Sequence, residues 1–109
     1  MEAFITTGLL GAILIALGIM NMKGNISSLH WYHRQRVTDE NRKPFGKLVG
    51  LGTLMIGVAI ILFGILFWIY EVALMEWLII MGSFILGVGI IAGLGLSFYA
   101  MIKYNKGIF

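Results

Sequence analysis

The sequence predicts an all-α integral membrane protein with three transmembrane helices and a short interfacial amphipathic helix in its inner loop. Of its 109 residues, 60% are hydrophobic and 12% are charged, about half the charged fraction of a soluble domain. The mean hydropathy is +0.96. These values exclude a soluble globular domain and a disordered tail. The chain has no cysteine, which also excludes a disulfide scaffold and a cysteine-ligated metal site.

Three uncharged runs define the predicted spans. They cover residues 3–22, 48–70 and 77–102 and are 20, 23 and 26 residues long. About 20 helical residues cross the roughly 30 Å hydrocarbon core of a bilayer. A cleaved signal peptide in place of the first span would need a basic leader, but the only charged side chain before that run is the acidic Glu2. We therefore predict a single membrane domain, 1–109, with spans at about 3–22, 46–70 and 77–102, a cytoplasmic loop at 23–45 and a tail at 103–109.

The charges between the spans predict the orientation in a bacterial inner membrane. A three-span chain places every basic residue on one side: Lys23, Arg34, Arg36, Arg42, Lys43, Lys47, Lys103 and Lys106. The opposite turn, from Glu71 to Glu76, has two acids and no base, and its six residues predict an antiparallel hairpin. Because basic loops stay in the cytoplasm, we expect the N-terminus outside and the C-terminus inside.

The inner loop is predicted to have structure of its own. Ser27 or Ser28 can cap a short helix that runs to about Val37. Its apolar and basic residues would lie in the membrane interface. Thr38 can cap the next turn, and Pro44 suits the first turn of the second span. Four residues of the short helix share one face: Leu29, Tyr32, His33 and Arg36.

Glycines recur at the same spacing in all three spans. Each span has a glycine, six other residues and then Gly-Ile, beginning at Gly11, Gly57 and Gly82. Small residues on one stripe let helix backbones approach closely in lipid. Glycine is also common in membrane spans, so the alternative is that the shared spacing arises by chance. We predict a packing seam, within the chain or between copies, formed by Gly11, Gly18, Gly50, Gly57, Gly64, Gly82, Gly89 and Gly93.

The loop is the candidate recognition or lipid-facing surface. Each Lys or Arg near an anionic leaflet contributes about 1 kcal/mol of attraction, although these residues can also serve only to set the orientation. His30 and His33 are three residues apart, but without a certain third ligand they do not predict a metal site, and no cofactor is expected. The basic surface is too small to predict nucleic-acid binding. The candidate residues are His30, Trp31, Tyr32, His33, Arg34, Arg36, Arg42, Lys43 and Lys47.

The uncharged runs also argue against two functional classes. They contain no Asp, Glu, Lys, Arg or His, whereas ion-coupled transporters place an ionisable group within the membrane. The chain shows no nucleophile–base arrangement, phosphate-binding loop or nucleotide fingerprint. We therefore expect neither an ion-coupled transporter nor an enzyme.

The loop resembles that of known membrane proteins. Its strings are Lys23-Gly-Asn-Ile-Ser-Ser-Leu-His-Trp-Tyr-His-Arg34, Arg36-Val-Thr38 and Pro44-Phe-Gly-Lys47. Over about residues 22–57 they resemble a group of short bacterial membrane proteins of unknown function, with an arginine-rich loop between a first span and a glycine-rich second span. More loosely, the pattern is similar to the SdpI-type immunity protein family, in which a basic loop enters a span through a Gly-Lys step. That likeness implies immunity against a membrane-active toxin.

The expected function is association through helices. We expect a small non-enzymatic membrane protein that acts by helix–helix contact with itself, as a homo-oligomer, or with another membrane protein. The partners expected are the lipid bilayer with its anionic headgroups and a membrane protein, and not nucleic acid. The alternatives are the immunity role and an oligomeric pore or transport component, whose polar lining would come from Thr53, Ser83 and Ser97.

Overall fold

The computed structural model describes residues 2–26 and 34–107, in which the regular elements are helices and no strand occurs. Helix α1 spans Glu2–Met22, α2 spans Arg42–Ala73 and α3 spans Glu76–Tyr104, with a 3₁₀ turn at Asp39–Asn41. All three α-helices are long and apolar enough to cross a membrane. This confirms the predicted all-helical class with three helices that can span a bilayer. The molecule is elongated, with dimensions of 51 × 20 × 18 Å.

The end of α1 is closed by a glycine that adopts a left-handed conformation. Gly24 has a φ of +99°, which an L side chain rarely adopts. Its N–H donates to the Asn21 carbonyl at 2.9 Å, and the Asn25 N–H donates to the Met20 carbonyl at 3.1 Å. This Schellman arrangement pairs the last carbonyls of α1 and turns the chain so that Ile26 is buried.

The predicted interfacial helix falls mainly on residues 27–33, which lie outside the described residues. In the part that follows, the Val37 N–H donates to the Arg34 carbonyl at 3.1 Å and closes a turn. Thr38 is the N-cap residue of the 3₁₀ turn, as predicted, and its backbone is extended, but its hydroxyl makes no capping hydrogen bond. Pro44 is the third residue of α2, where its missing N–H costs no helical hydrogen bond.

The link between α2 and α3 is shorter than the six-residue turn that the sequence predicts. The helices continue to Ala73 and resume at Glu76, so only Leu74 and Met75 lie between them. Leu74 takes a left-handed conformation, with φ 56° and ψ 31°. Its N–H donates to the Tyr70 carbonyl at 2.7 Å. This single residue ends α2 and reverses the chain into an antiparallel hairpin.

Helix α2 lies between α1 and α3 and packs along its length against both of them, whereas α1 and α3 make little contact with each other. A small apolar core at one end of the bundle joins Phe45 and Val49 of α2 to Ala100 and Met101 of α3. The outward faces of α1 and α3 remain apolar and exposed; Leu9, Phe84 and Ile91 are 63%, 72% and 75% exposed. Apolar faces of this extent are typical of contact with lipid or with another protein.

Candidate functional site

The seam between α1 and α2 is built on two pairs of glycines. A Cβ added at Gly18 would lie 2.7 Å from the Gly50 carbonyl oxygen, and one added at Gly57 would lie 2.8 Å from the Gly11 carbonyl oxygen. The reverse relations hold as well: Gly50 faces the Gly18 carbonyl, and Gly11 faces that of Gly57. Real Cβ atoms essentially never approach a neighbouring atom within 3.0 Å. Only glycine therefore allows this approach.

The same seam continues toward both ends of the helices. A Cβ at Gly46 would meet the Asn21 carbonyl oxygen, and one at Gly64 would meet the Thr7 hydroxyl. That hydroxyl donates to the Ala3 carbonyl at 2.8 Å. Beyond it, the rings of Phe4 and Trp68 stack with centroids 5.0 Å apart. An antiparallel register therefore holds along the whole of α1.

A second seam joins α2 to α3. A Cβ at Gly93 would lie 2.5 Å from the Gly52 carbonyl oxygen, and Gly52 faces the Gly93 carbonyl in return. A Cβ at Gly89 would meet the Ala59 methyl group. Gly82 is packed less tightly, with the Phe63 ring 3.3 Å from its Cβ position.

The two seams occupy opposite faces of α2. Gly50 and Gly57 face α1, whereas Gly52 and Ala59 face α3. Gly52 lies two residues after Gly50, and Ala59 lies two residues after Gly57. Two residues correspond to about 200° around a helix, at about 100° per residue. All eight glycines predicted as packing residues lie in these two seams, so the chain uses them to join its own helices.

Three other glycines have no such neighbour. Within the part of the chain that the structure describes, nothing lies within 4 Å of the Cβ positions of Gly8 on α1 and of Gly87 and Gly95 on α3. On α3, Ser83, Gly87 and Gly95 fall on one row of residues spaced by four, and Ser83 and Gly95 are exposed. Another helix could therefore approach α3 closely along this row, because no described residue covers its glycines.

The polar residues proposed for a pore do not converge on one surface. The Thr53 hydroxyl donates to the Val49 carbonyl of its own helix at 3.0 Å. Ser97 is buried in the second seam, with its Oγ 3.0 Å from the Cβ position of Gly52. Ser83 is exposed on the outer surface of α3. The described helices thus offer no common hydroxyl lining.

The charged residues separate to the two ends of the bundle. The antiparallel packing brings the end of α1, the start of α2 and the end of α3 together, and all eight Lys and Arg residues lie at that basic end. The acids there are Asp39 and Glu40, while Glu2, Glu71 and Glu76 lie at the opposite end. The formal charge is therefore 8 − 2 = +6 at the basic end and −3 at the other, which sums to the net +3 of the chain.

Part of the predicted loop surface can be located at this end. His30, Trp31, Tyr32 and His33 lie outside the described residues. Arg34 and Arg42 line a shared cleft, and the Arg42 guanidinium lies 3.4 Å from the Asp39 carboxylate. Arg36, Lys43 and Lys47 are exposed.

Asn105, which no sequence pattern indicates as functional, ties the loop to α3. It is fully buried. Its Oδ1 accepts the Arg36 backbone N–H at 2.7 Å, and its Nδ2 donates to the Gly107 carbonyl at 3.0 Å. The sequence signal is weak, a polar residue two positions before a glycine, and nothing in it pairs position 105 with position 36.

A resident metal ion has no evident ligands in the described part of the chain. No group of three or more His, Cys, Asp or Glu side chains comes together there.

Comparison with protein-family models, curated proteins and solved structures gave no match. The three apolar helices fit a multi-pass membrane protein.

Proposed function

We propose that the protein is a non-enzymatic module of the bacterial inner membrane that acts by lateral helix–helix association, with itself or with another membrane protein. The basic end would face the cytoplasm, because basic residues are retained on that side. The N-terminus would then lie outside. The separation of +6 and −3 formal charge between the two ends supports this orientation.

The observation that carries the proposal is the outer row of α3. No described residue lies within 4 Å of the Cβ positions of Gly87 and Gly95, whereas the predicted packing glycines already pack against other helices of the chain. Hydrocarbon tails are as apolar as leucine, so helices associate in lipid where small residues allow close backbone contact. The neighbouring Ile91 is 75% exposed and would fit between residues of a facing helix. Contact through this row would leave both internal seams unchanged.

Site-specific photocrosslinking in the native membrane tests this proposal. A photoreactive residue at position 87 should give crosslinked products, identified by mass spectrometry as a second copy or as another membrane protein. Position 8 is the matched control, because Gly8 is equally uncovered but lies on α1. Products from position 8 alone, or from neither position, would contradict association through α3.

Single replacements measure the strength of the contact. Gly87→Leu should weaken association in nanodiscs by about tenfold, which corresponds to about 1.4 kcal/mol, while Gly8→Leu leaves it unchanged.

Native mass spectrometry in nanodiscs measures the number of copies in the assembly. A monomer would leave another membrane protein as the partner. Ion flux through liposomes that contain the protein alone would instead support the oligomeric pore.

A further inference from the structure

The basic end contains a cleft between the cap that ends α1 and the first residue of α2. Its volume is about 340 Å³, and the described residues that line it are Gly24, Asn25, Ile26, Arg34 and Arg42. Two of these five residues, Arg34 and Arg42, bring guanidinium groups from separate parts of the chain. Arg34 is half-buried, so its charge is partly shielded from water.

The charged side chains that the structure describes around the cleft are mostly positive. The Lys43 side chain passes the cleft wall, with its Cγ 3.6 Å from the Cβ position of Gly24. Among the described residues, the acid in contact with Arg42 is Asp39, whose Oδ1 lies 3.4 Å from Arg42 Nη2. The Asp39 and Arg42 side chains are 97% and 56% exposed, and an exposed ion pair of this kind adds little stability because water screens both charges. An anion that enters the cleft can therefore replace Asp39 at little cost.

The depth of the cleft in a membrane follows from the ends of the helices. Helix α1 ends at Met22, and α2 begins at Arg42. Both positions lie just beyond apolar runs that cross the bilayer. The cleft would thus open at the level of the lipid headgroups.

We propose that this cleft binds a phosphate group, with Arg34 and Arg42 as its cationic ligands, and that its source is the headgroup of an anionic phospholipid. A guanidinium presents paired N–H donors that match two phosphate oxygens. Ligand sites have volumes of about 300–1,000 Å³, and a cleft at the lower limit suits a glycerophosphate headgroup. The site is separate from the outer row of α3, so it does not depend on lateral association.

Binding of short-chain lipids in neutral detergent tests the site. The protein is titrated with dioctanoyl phosphatidylglycerol or dioctanoyl phosphatidylcholine, and the bound lipid is counted by native mass spectrometry. Phosphatidylglycerol should bind about tenfold more tightly, because the choline cation is repelled by the two arginines. Arg34→Gln and Arg42→Gln should each remove this preference. Lys47→Gln is the matched control, because it removes one charge from the same end without lining the cleft.

The control separates a built site from general attraction. If only the summed charge attracts anionic lipid, each replacement removes about 1 kcal/mol, or about fivefold in affinity, and all three variants fall alike. That result, or equal binding of the two lipids by the unaltered protein, would overturn the proposal. Arg42→Lys keeps the charge but loses the paired donors. An affinity for phosphatidylglycerol between those of the unaltered protein and Arg42→Gln would support the proposal. The unfolding midpoint of Arg42→Lys should be unchanged, which shows that the variant is folded.

Inorganic phosphate distinguishes the two sources of the ligand. Phosphate at millimolar concentration should not displace phosphatidylglycerol if the lipid headgroup is the ligand. Displacement from the unaltered protein by phosphate, but not by sodium chloride of equal ionic strength, would show that free phosphate binds the same site, and would overturn the lipid as its source.

Discussion

Gly18 of α1 and Gly50 of α2 lie so close together that the carbonyl oxygen of each occupies the space where a side chain on the other would begin. Gly11 and Gly57 repeat this relationship seven residues away along both helices. Such an approach brings Cα–H groups against carbonyl oxygens, a weak attraction that recurs at helix–helix interfaces. It also increases the contact area between two helices that gain nothing from excluding lipid.

Alanine at Gly18 or Gly50 should destabilise the bundle by about 1–3 kcal/mol, because the added Cβ forces the two backbones apart. The measurement is the free energy of unfolding in a titration with a denaturing detergent. Gly8→Ala is the matched control, because its Cβ would meet nothing within 4 Å. Equal effects of Gly18→Ala and Gly8→Ala would contradict the close approach.

Gly64 and Thr7 should behave as a coupled pair. Gly64→Ala alone is expected to destabilise the bundle, because the new methyl group meets the Thr7 hydroxyl. Thr7→Ala removes that hydroxyl, so the double variant should be less destabilised than the sum of the single variants, by about 0.5–3 kcal/mol. The cycle is measured by detergent unfolding. Strict additivity would show that the two positions are not in contact.

Replacing Asn105 should release the inner loop from α3. Asn105→Leu leaves the Arg36 N–H without the acceptor that it has at 2.7 Å, at a cost of about 1–3 kcal/mol for a buried donor. Hydrogen–deuterium exchange at Arg36 should become faster. The amides of Gly24 and Asn25 are the internal control, because the cap of α1 holds them. Faster exchange at both places would indicate general unfolding instead.

Leu74→Gly should stabilise the hairpin between α2 and α3. Leucine at a φ of 56° bears a steric strain that glycine does not, and relief of left-handed strain contributes about 1 kcal/mol. The measurement is again the free energy of unfolding. Met75→Gly is the control, because Met75 has an ordinary φ of −93° and glycine there should give no gain. A loss of stability in Leu74→Gly would show that the leucine side chain contributes more than its strain costs.

Properties that depend on one segment at a time could be predicted from the sequence. The uncharged runs predict three spanning helices, because crossing the bilayer depends on length and polarity alone. The placement of the eight basic residues at one end also follows once the number of helices is known. The same glycine motif begins at Gly11, Gly57 and Gly82. It indicates close packing of the helices, because helix backbones approach each other closely where the residues between them are small.

The pairing of these glycines was decided only in three dimensions. Gly50 and Gly52 are two positions apart, yet one packs on α1 and the other on α3, because two residues turn a helix by about 200°. The contact of Asn105 with Arg36 joins positions 69 residues apart, and no local pattern encodes it. Composition and length determine which segments enter the membrane. The partner of each residue depends on how the surfaces of three helices fit together, which only the folded chain specifies.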